Sequence, residues 1–195
     1  MITTLIAFTL LSPAAQAVHL ACPVTGEEIG KPFASINYKG ARYDLCCGGC
    51  PGPFLKNPEK FLTPEKTKSA TFGVGYFDPV SGLGVKADKA EAGPSVYNRV
   101  AYYFNSNEDK TTFDADPKKY TAIPAKEALY CPVMKREVSD ISKSGGYADV
   151  DGVRYYICCG DCAGELKASP SKYLNADSAK HVHDVVAVKA VKKSG

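Results

Sequence analysis

The chain is poor in the features from which function is most often read. Histidine is scarce, with three residues in 195, so a histidine-built metal or acid–base centre has little to draw on. No serine–histidine–aspartate grouping, no carboxylate pair set for acid–base work and no phosphate-cradling glycine loop stands in the sequence, and enzymatic activity is not expected. The net charge is only +3, and the lysines are spread out, which excludes a nucleic-acid partner needing a concentrated basic face. One segment is strongly apolar, Ile2 to Leu11, and it is too short to span a bilayer.

That segment belongs to "MITTLIAFTLLSPAAQA", which ends on Ala15-Gln16-Ala17. An apolar run followed by a small-residue A-x-A site reads as a secretory signal over residues 1–17, with a mature start at Val18. The expectation is an exported protein, periplasmic or secreted, with no transmembrane segment in the mature chain. At the other end, residues 178–195 read as a basic, solvated tail. His19, and the His181 and His183 pair in the tail, have no counterparts elsewhere in the chain and read as incidental.

What the chain does have is cysteine: eight residues, packed into short motifs. "LCCGGC" ends at Cys50 and "ICCGDC" ends at Cys162. Measured from these two anchors, the framework agrees. Tyr43 and Tyr155 precede, Phe54 and Leu166 follow, then Pro58 and Pro170, then Phe61 and Tyr173. The same ruler laid on Asp109 meets Tyr102, Phe113, Pro117 and Tyr120. The openings correspond too: "CPVTG" from Cys22, "DPVSG" from Asp78 and "CPVMK" from Cys131. The chain therefore reads as three tandem repeats, over 18–64, 65–122 and 123–177. The middle copy carries Asp78, Asn105, Ser106 and Asp109 where its neighbours carry cysteine. Four thiols lost together form one functional set that the framework does not need in order to fold.

Each repeat reads as a β-hairpin followed by a short helix. The hairpin turns fall at Lys39-Gly40, Asn98-Arg99 and Asp151-Gly152. The helix is expected to stop before Asn57-Pro58 or Ser169-Pro170. The aromatic and leucine framework residues read as core. "TPEKTKSATFG" and "AIPAKEA" read as linkers.

These motifs resemble the YHS domain and its relative the TRASH domain, small cysteine-bearing modules associated with heavy metals. The typical run there is Asp-Pro-Val-Cys-Gly, a hairpin, Phe-Cys-Ser-x-x-Cys, an aromatic and a closing Asn-Pro-x-x-Tyr. The resemblance implies an α+β fold of three small units of the zinc-ribbon or treble-clef kind. The family thiols carry over to Cys46, Cys50, Cys158 and Cys162. The cysteine of "DPVCG" is replaced by Thr25, Ser81 and Met134, and Cys22, Cys47, Cys131 and Cys159 are additions.

Three chemistries suit such thiols. In the first, Cys22, Cys46, Cys47 and Cys50, and again Cys131, Cys158, Cys159 and Cys162, hold thiophilic ions such as Zn(II) or Cu(I). Two adjacent cysteines rarely both reach one ion, so one of Cys46 and Cys47, and one of Cys158 and Cys159, is spare. Met134 reads as a packing residue with a thioether in reserve. Partners would then be metal ions, with a metal-transport protein or metalloenzyme as the protein partner served. In the second chemistry the cysteines are structural disulfides, for instance Cys22 with Cys47 or Cys50. In the third, "CGGC" and "CGDC" are redox Cys-x-x-Cys motifs. The middle repeat, with Asp78 and Asp109 as its only carboxylates at the site, reads as a metal-free spacer.

Overall fold

The computed structural model describes residues 18–63 and 70–190, so the expected export signal lies outside the described residues. In chain order the regular elements are β1 (Ala34–Tyr38), β2 (Ala41–Leu45), α1 (Pro51–Lys56), α2 (Glu59–Leu62) and β3 (Gly73–Gly75). Next come β4 (Ala92–Tyr97), β5 (Val100–Phe104), α3 (Asn107–Ala115), α4 (Pro117–Tyr120), β6 (Lys126–Ala128), β7 (Tyr130–Cys131) and β8 (Arg136–Glu137). The last group is β9 (Gly146–Val150), β10 (Val153–Ile157), α5 (Asp161–Ala168), α6 (Pro170–Tyr173), α7 (Ala176–Ala179), β11 (His183–Asp184) and β12 (Val188–Lys189). Strands and short helices are thus mixed in the manner of an α+β fold. Among the described residues no helix is long and apolar enough to cross a membrane.

An antiparallel hairpin followed by two short helices occurs three times, as β1–β2, β4–β5 and β9–β10. Each hairpin closes on two residues with positive φ: Lys39 and Gly40, Asn98 and Arg99, Asp151 and Gly152. That is the type I′ turn, whose twist matches the strands it joins. Arg99 adopts this conformation without being glycine. Its guanidinium lies 4.9 Å from the centre of the Phe72 ring, and its carbonyl accepts from the amides of Phe72 and Gly73. After each hairpin the first helix ends at Asn57, Asp116 or Ser169, whose extended φ is forced by the following proline. The next helix starts at or beside that proline.

The framework residues expected as core are buried in part, with Phe61, Tyr102, Tyr120 and Tyr173 half-buried against the core clusters. Phe54, Phe113 and Leu166 are fully buried, and Tyr43 and Tyr155 nearly so. Tyr43, Phe54 and Phe61 form a ladder of rings 5.4 and 6.2 Å apart, and Tyr102 meets Phe113 at 5.3 Å.

The sheets do not respect the repeat boundaries. β3 lies between β2, to which it is antiparallel, and β5, to which it is parallel, so one six-stranded sheet runs β12-β1-β2-β3-β5-β4. A second sheet runs β11-β6-β10-β9. In the six-stranded sheet Gly75 and Gly73 leave room for Tyr102 and Tyr43: a Cβ at Gly73 would stand 2.7 Å from the Tyr43 ring. The three units are joined again by a buried polar cluster. The Asn37 amide donates to both carboxylate oxygens of Asp140, at 3.2 and 3.1 Å, while the Tyr76 hydroxyl donates to Asn37 Oδ1 at 2.7 Å.

The C-terminal segment corrects the expectation of a solvated tail. His183–Asp184 pairs with β6, Val188–Lys189 pairs with β1, and the His181 ring stacks on Tyr130 at 3.9 Å. Its side chains stay exposed at 183–184 and 188–189. The backbone is satisfied by two otherwise open sheet edges, a role that leaves little trace in hydropathy.

Asn37→Ala removes a donor from Asp140 and an acceptor from Tyr76 in one step. The expected loss is about 3 kcal/mol of unfolding free energy, measured by urea titration against Asn37→Asp and Tyr76→Phe.

Candidate metal centre

Each repeat opens with a tight turn. The Gly26 amide donates to the Cys22 carbonyl at 2.7 Å, and the Gly82 amide to the Asp78 carbonyl at 2.8 Å. The closing residue has positive φ in all three copies: Gly26, Gly82 and Lys135. The turn presents its first side chain inward, and Cys22, Asp78 and Cys131 are fully buried. The second half of the site comes from the bend between the hairpin and the first helix. There Cys50 stands immediately before α1, and Cys162 lies in the first turn of α5.

Together the two halves bring three sulfurs into one cluster in each outer repeat. Cys22, Cys46 and Cys50 form one triad, and Cys131, Cys158 and Cys162 the other, all sulfurs of a triad lying within 4.8 Å of one another. In the first triad Cys22 and Cys46 each stand 3.8 Å from Cys50. Sulfurs at about 2.3 Å from a shared zinc lie about 3.8 Å apart in a tetrahedral site and about 4.0 Å apart in a planar three-coordinate one. The spacing therefore fits a thiophilic ion, and soft sulfur donors exclude magnesium and calcium.

The adjacent-cysteine ambiguity is resolved by position. Cys46 and Cys158 join the triads, whereas Cys47 and Cys159 stand outside them. Cys47 is exposed and sits 3.2 Å from Cys50, and Cys159 is disulfide-bonded to Cys162. That Cys-x-x-Cys bond differs from the expected pairings through Cys22. It also makes Cys162 a member of two groups at once.

Electrostatics favour anionic sulfur at Cys22. Burial opposes the charge, but the amides of Cys46, Thr25 and Val24 and the Thr25 hydroxyl outweigh it and lower the thiol to about 7. Cys50 is raised, by burial first and then by its contacts with Cys47, Cys22 and Cys46. Cys158 is raised by burial and by Cys131, with Arg136 as a partial offset.

The middle repeat shows what the same framework does without thiols. Asp78 occupies the Cys22 position and accepts from the amides of Val80 at 3.0 Å, Ser81 at 3.4 Å and Asn105 at 2.8 Å. These are the counterparts of Val24, Thr25 and Cys46. Ser106 caps α3 by accepting from the Asp109 amide at 3.0 Å. Burial and then the Asp109 carboxyl push Asp78 above the usual carboxylate range, against the pull of the amides.

The remaining candidates lie elsewhere. His19 contacts Glu28 on the surface at 2.8 Å, and neither it nor His181 or His183 joins a triad. Met134 is 58 % exposed, which corrects the expectation of a packing residue. A contribution that periodicity does not announce is glycine beside the cysteine bend. A Cβ at Gly145 would stand 2.7 Å from Cys159 Cα, and one at Gly160 would meet Leu83 at 3.3 Å. In the first repeat Phe33 fills the corresponding space over Gly48, also at 3.3 Å.

Compared with protein-family models, with curated proteins and with solved structures, the chain has no significant match.

Three outcomes follow from this geometry. Asp78→Ala leaves three converging amides without their acceptor and is expected to destabilise the protein by about 3 kcal/mol in thermal or urea unfolding. In contrast, Asp78→Cys, Asn105→Cys and Asp109→Cys combined are expected to raise zinc content, by elemental analysis under reducing conditions, by about one equivalent. Gly145→Ala is expected to cost about 2 kcal/mol through overlap with the Cys159 backbone and to weaken zinc at the third repeat selectively. Competition with a chromogenic chelator in a Cys22→Ser background reads that site alone.

Proposed function

We propose that this chain is an exported, non-enzymatic metal-binding protein of the YHS/TRASH kind, holding one thiophilic ion in each outer repeat. The observation that carries it is the repeated all-cysteine triad, with sulfurs at 3.8 Å in the first copy. The family assignment rests on the three registered motif sets alone, and the export assignment on residues 1–17.

Zn(II) and Cu(I) both suit three sulfurs. Cu(I) accepts three-coordination outright, whereas zinc takes a fourth donor from water or from a partner. One triad sulfur, on Cys46, is partly exposed beside an exposed Thr25. A site with three protein ligands and one open side exchanges its ion more readily than a closed four-ligand site. That favours buffering or delivery, with a metal-transport protein or metalloenzyme as recipient, over a purely structural ion. The middle repeat serves as a spacer, its Asp78 carboxylate taking the amides that a thiolate takes in the first copy.

The test is elemental analysis of the reduced protein, purified without chelator, combined with thiol counting. About two equivalents of metal are expected, falling to about one in Cys22→Ser and to none in Cys22→Ser with Cys131→Ser. Metal-free protein with all thiols free, or with all eight cysteines in disulfides, would overturn the proposal.

A further inference from the structure

Cys50 and Cys162 each belong to two arrangements. Cys50 is the sulfur that Cys22 and Cys46 both approach at 3.8 Å, and it also stands 3.2 Å from Cys47, outside the triad. In the third repeat the equivalent pair, Cys159 and Cys162, is joined as a disulfide, while Cys162 keeps its place beside Cys131 and Cys158. The bond therefore forms in place, with the three triad sulfurs still within 4.8 Å of one another. The equivalent cysteine pair is thus unbonded in the first repeat and bonded in the third.

A sulfur engaged in a disulfide has no thiolate charge to donate, and two sulfurs hold a thiophilic ion far less tightly than three. We propose that each outer repeat is a thiol–disulfide switch, in which oxidation of Cys47 with Cys50, or of Cys159 with Cys162, expels the bound metal. The switch rests on the metal-binding reading above and adds the role of the fourth cysteine. Cys47 and Cys159 are not spare ligands; they are the partners that withdraw a ligand.

The oxidant is a low-molecular-weight disulfide, RSSR. The exposed Cys47 gives up its proton to solvent, and its thiolate attacks one sulfur of RSSR. A mixed disulfide forms and one RS⁻ leaves. The Cys50 thiolate then attacks Cys47 Sγ. The Cys47–Cys50 bond forms and the second RS⁻ departs, so that only Cys22 and Cys46 of the triad would remain to hold an ion. Two electrons have passed from two protein sulfurs to one RSSR. When the ion dissociates, Cys22 and Cys46 remain as thiols or thiolates according to pH. A dithiol reductant reverses the sequence and restores the triad. The same steps apply to Cys159 and Cys162. The geometry supplies the order of attack, since Cys47 is exposed whereas Cys50 is buried behind it.

The experiment uses the full chain, reduced, loaded with zinc and freed of excess metal under anaerobic conditions. Glutathione disulfide is added, zinc release is followed with a chromogenic chelator, and disulfides are located by peptide mass mapping. The parent is expected to release its zinc as 47–50 and 159–162 disulfides appear, and to take it up again after dithiothreitol. The variant Cys47→Ser with Cys159→Ser keeps both triads, so it is expected to bind zinc as the parent does and to lose the release. Equal release from parent and variant, or release from the parent with disulfides mapped elsewhere, overturns the switch alone. A reduced parent that binds no zinc overturns the metal site and the switch together.

Discussion

A buried position that demands a hydrogen-bond acceptor organises the first two repeats. Three backbone amides, from the opening turn and from the bend after the hairpin, converge on the side chain at Cys22 or Asp78. Amides left unanswered in a buried site are expensive, so this position takes an acceptor. A carboxylate satisfies it with hard oxygens, which suit a thiophilic ion poorly. A thiolate satisfies it with a soft sulfur that such an ion prefers. That one difference separates the thiol-free copy from a first copy whose cysteine triad could hold a metal ion.

The middle repeat's stability does not rest on its carboxylate alone. β3 pairs on one side with the first repeat's hairpin and on the other with the middle one, so the two share a sheet. Asn37, Tyr76 and Asp140 draw one residue from each repeat into a single buried hydrogen-bonded cluster. Units of this size seldom hold a sufficient core alone, and small domains normally need staples such as disulfides or metals. Here shared strands and shared polar contacts take over much of that role. The thiols are correspondingly freed from a purely structural duty.

The sequence made the local elements legible and left their assembly hidden. Lys39-Gly40 and Asp151-Gly152 announce two-residue hairpins because only a few residue types tolerate positive φ. Asn57-Pro58 and Ser169-Pro170 announce helix ends because proline restricts the residue before it. The register of Tyr43, Phe54 and Phe61 announces a core, since aromatic residues at fixed offsets have few other uses. The pairing of β3 with two hairpins has no such signature, because Gly73-Val74-Gly75 is too short to show alternation. The edge strands near the C-terminus were misread for a related reason: they bury backbone and expose side chains. Within the site, the triad and its spare thiol could be enumerated from spacing but not told apart. Cys46 and Cys47 differ only in which way the chain turns at the bend, and that is a property of three dimensions.

The two triads are alike in their three-cysteine composition and differ in their walls. Around the first, Thr25 lies 3.4 Å from Cys46 and Phe33 packs over Gly48, so the first repeat completes its own site. Around the third, Arg136 faces Cys158, and the cover over Gly160 is Leu83, which belongs to the middle repeat. The connection is continuous. Leu83 bridges Gly146, Gly84 donates to the Gly145 carbonyl at 2.9 Å, and Gly145 lies directly against Cys159. Gly82, in the same turn as the buried Asp78, accepts from the Tyr147 amide at 2.8 Å. The carboxylate that satisfies the middle repeat therefore anchors the turn that walls the cysteine bend of the third. The middle repeat, itself without thiols, thus helps to shape the neighbouring cysteine cluster through an opening turn of the same form.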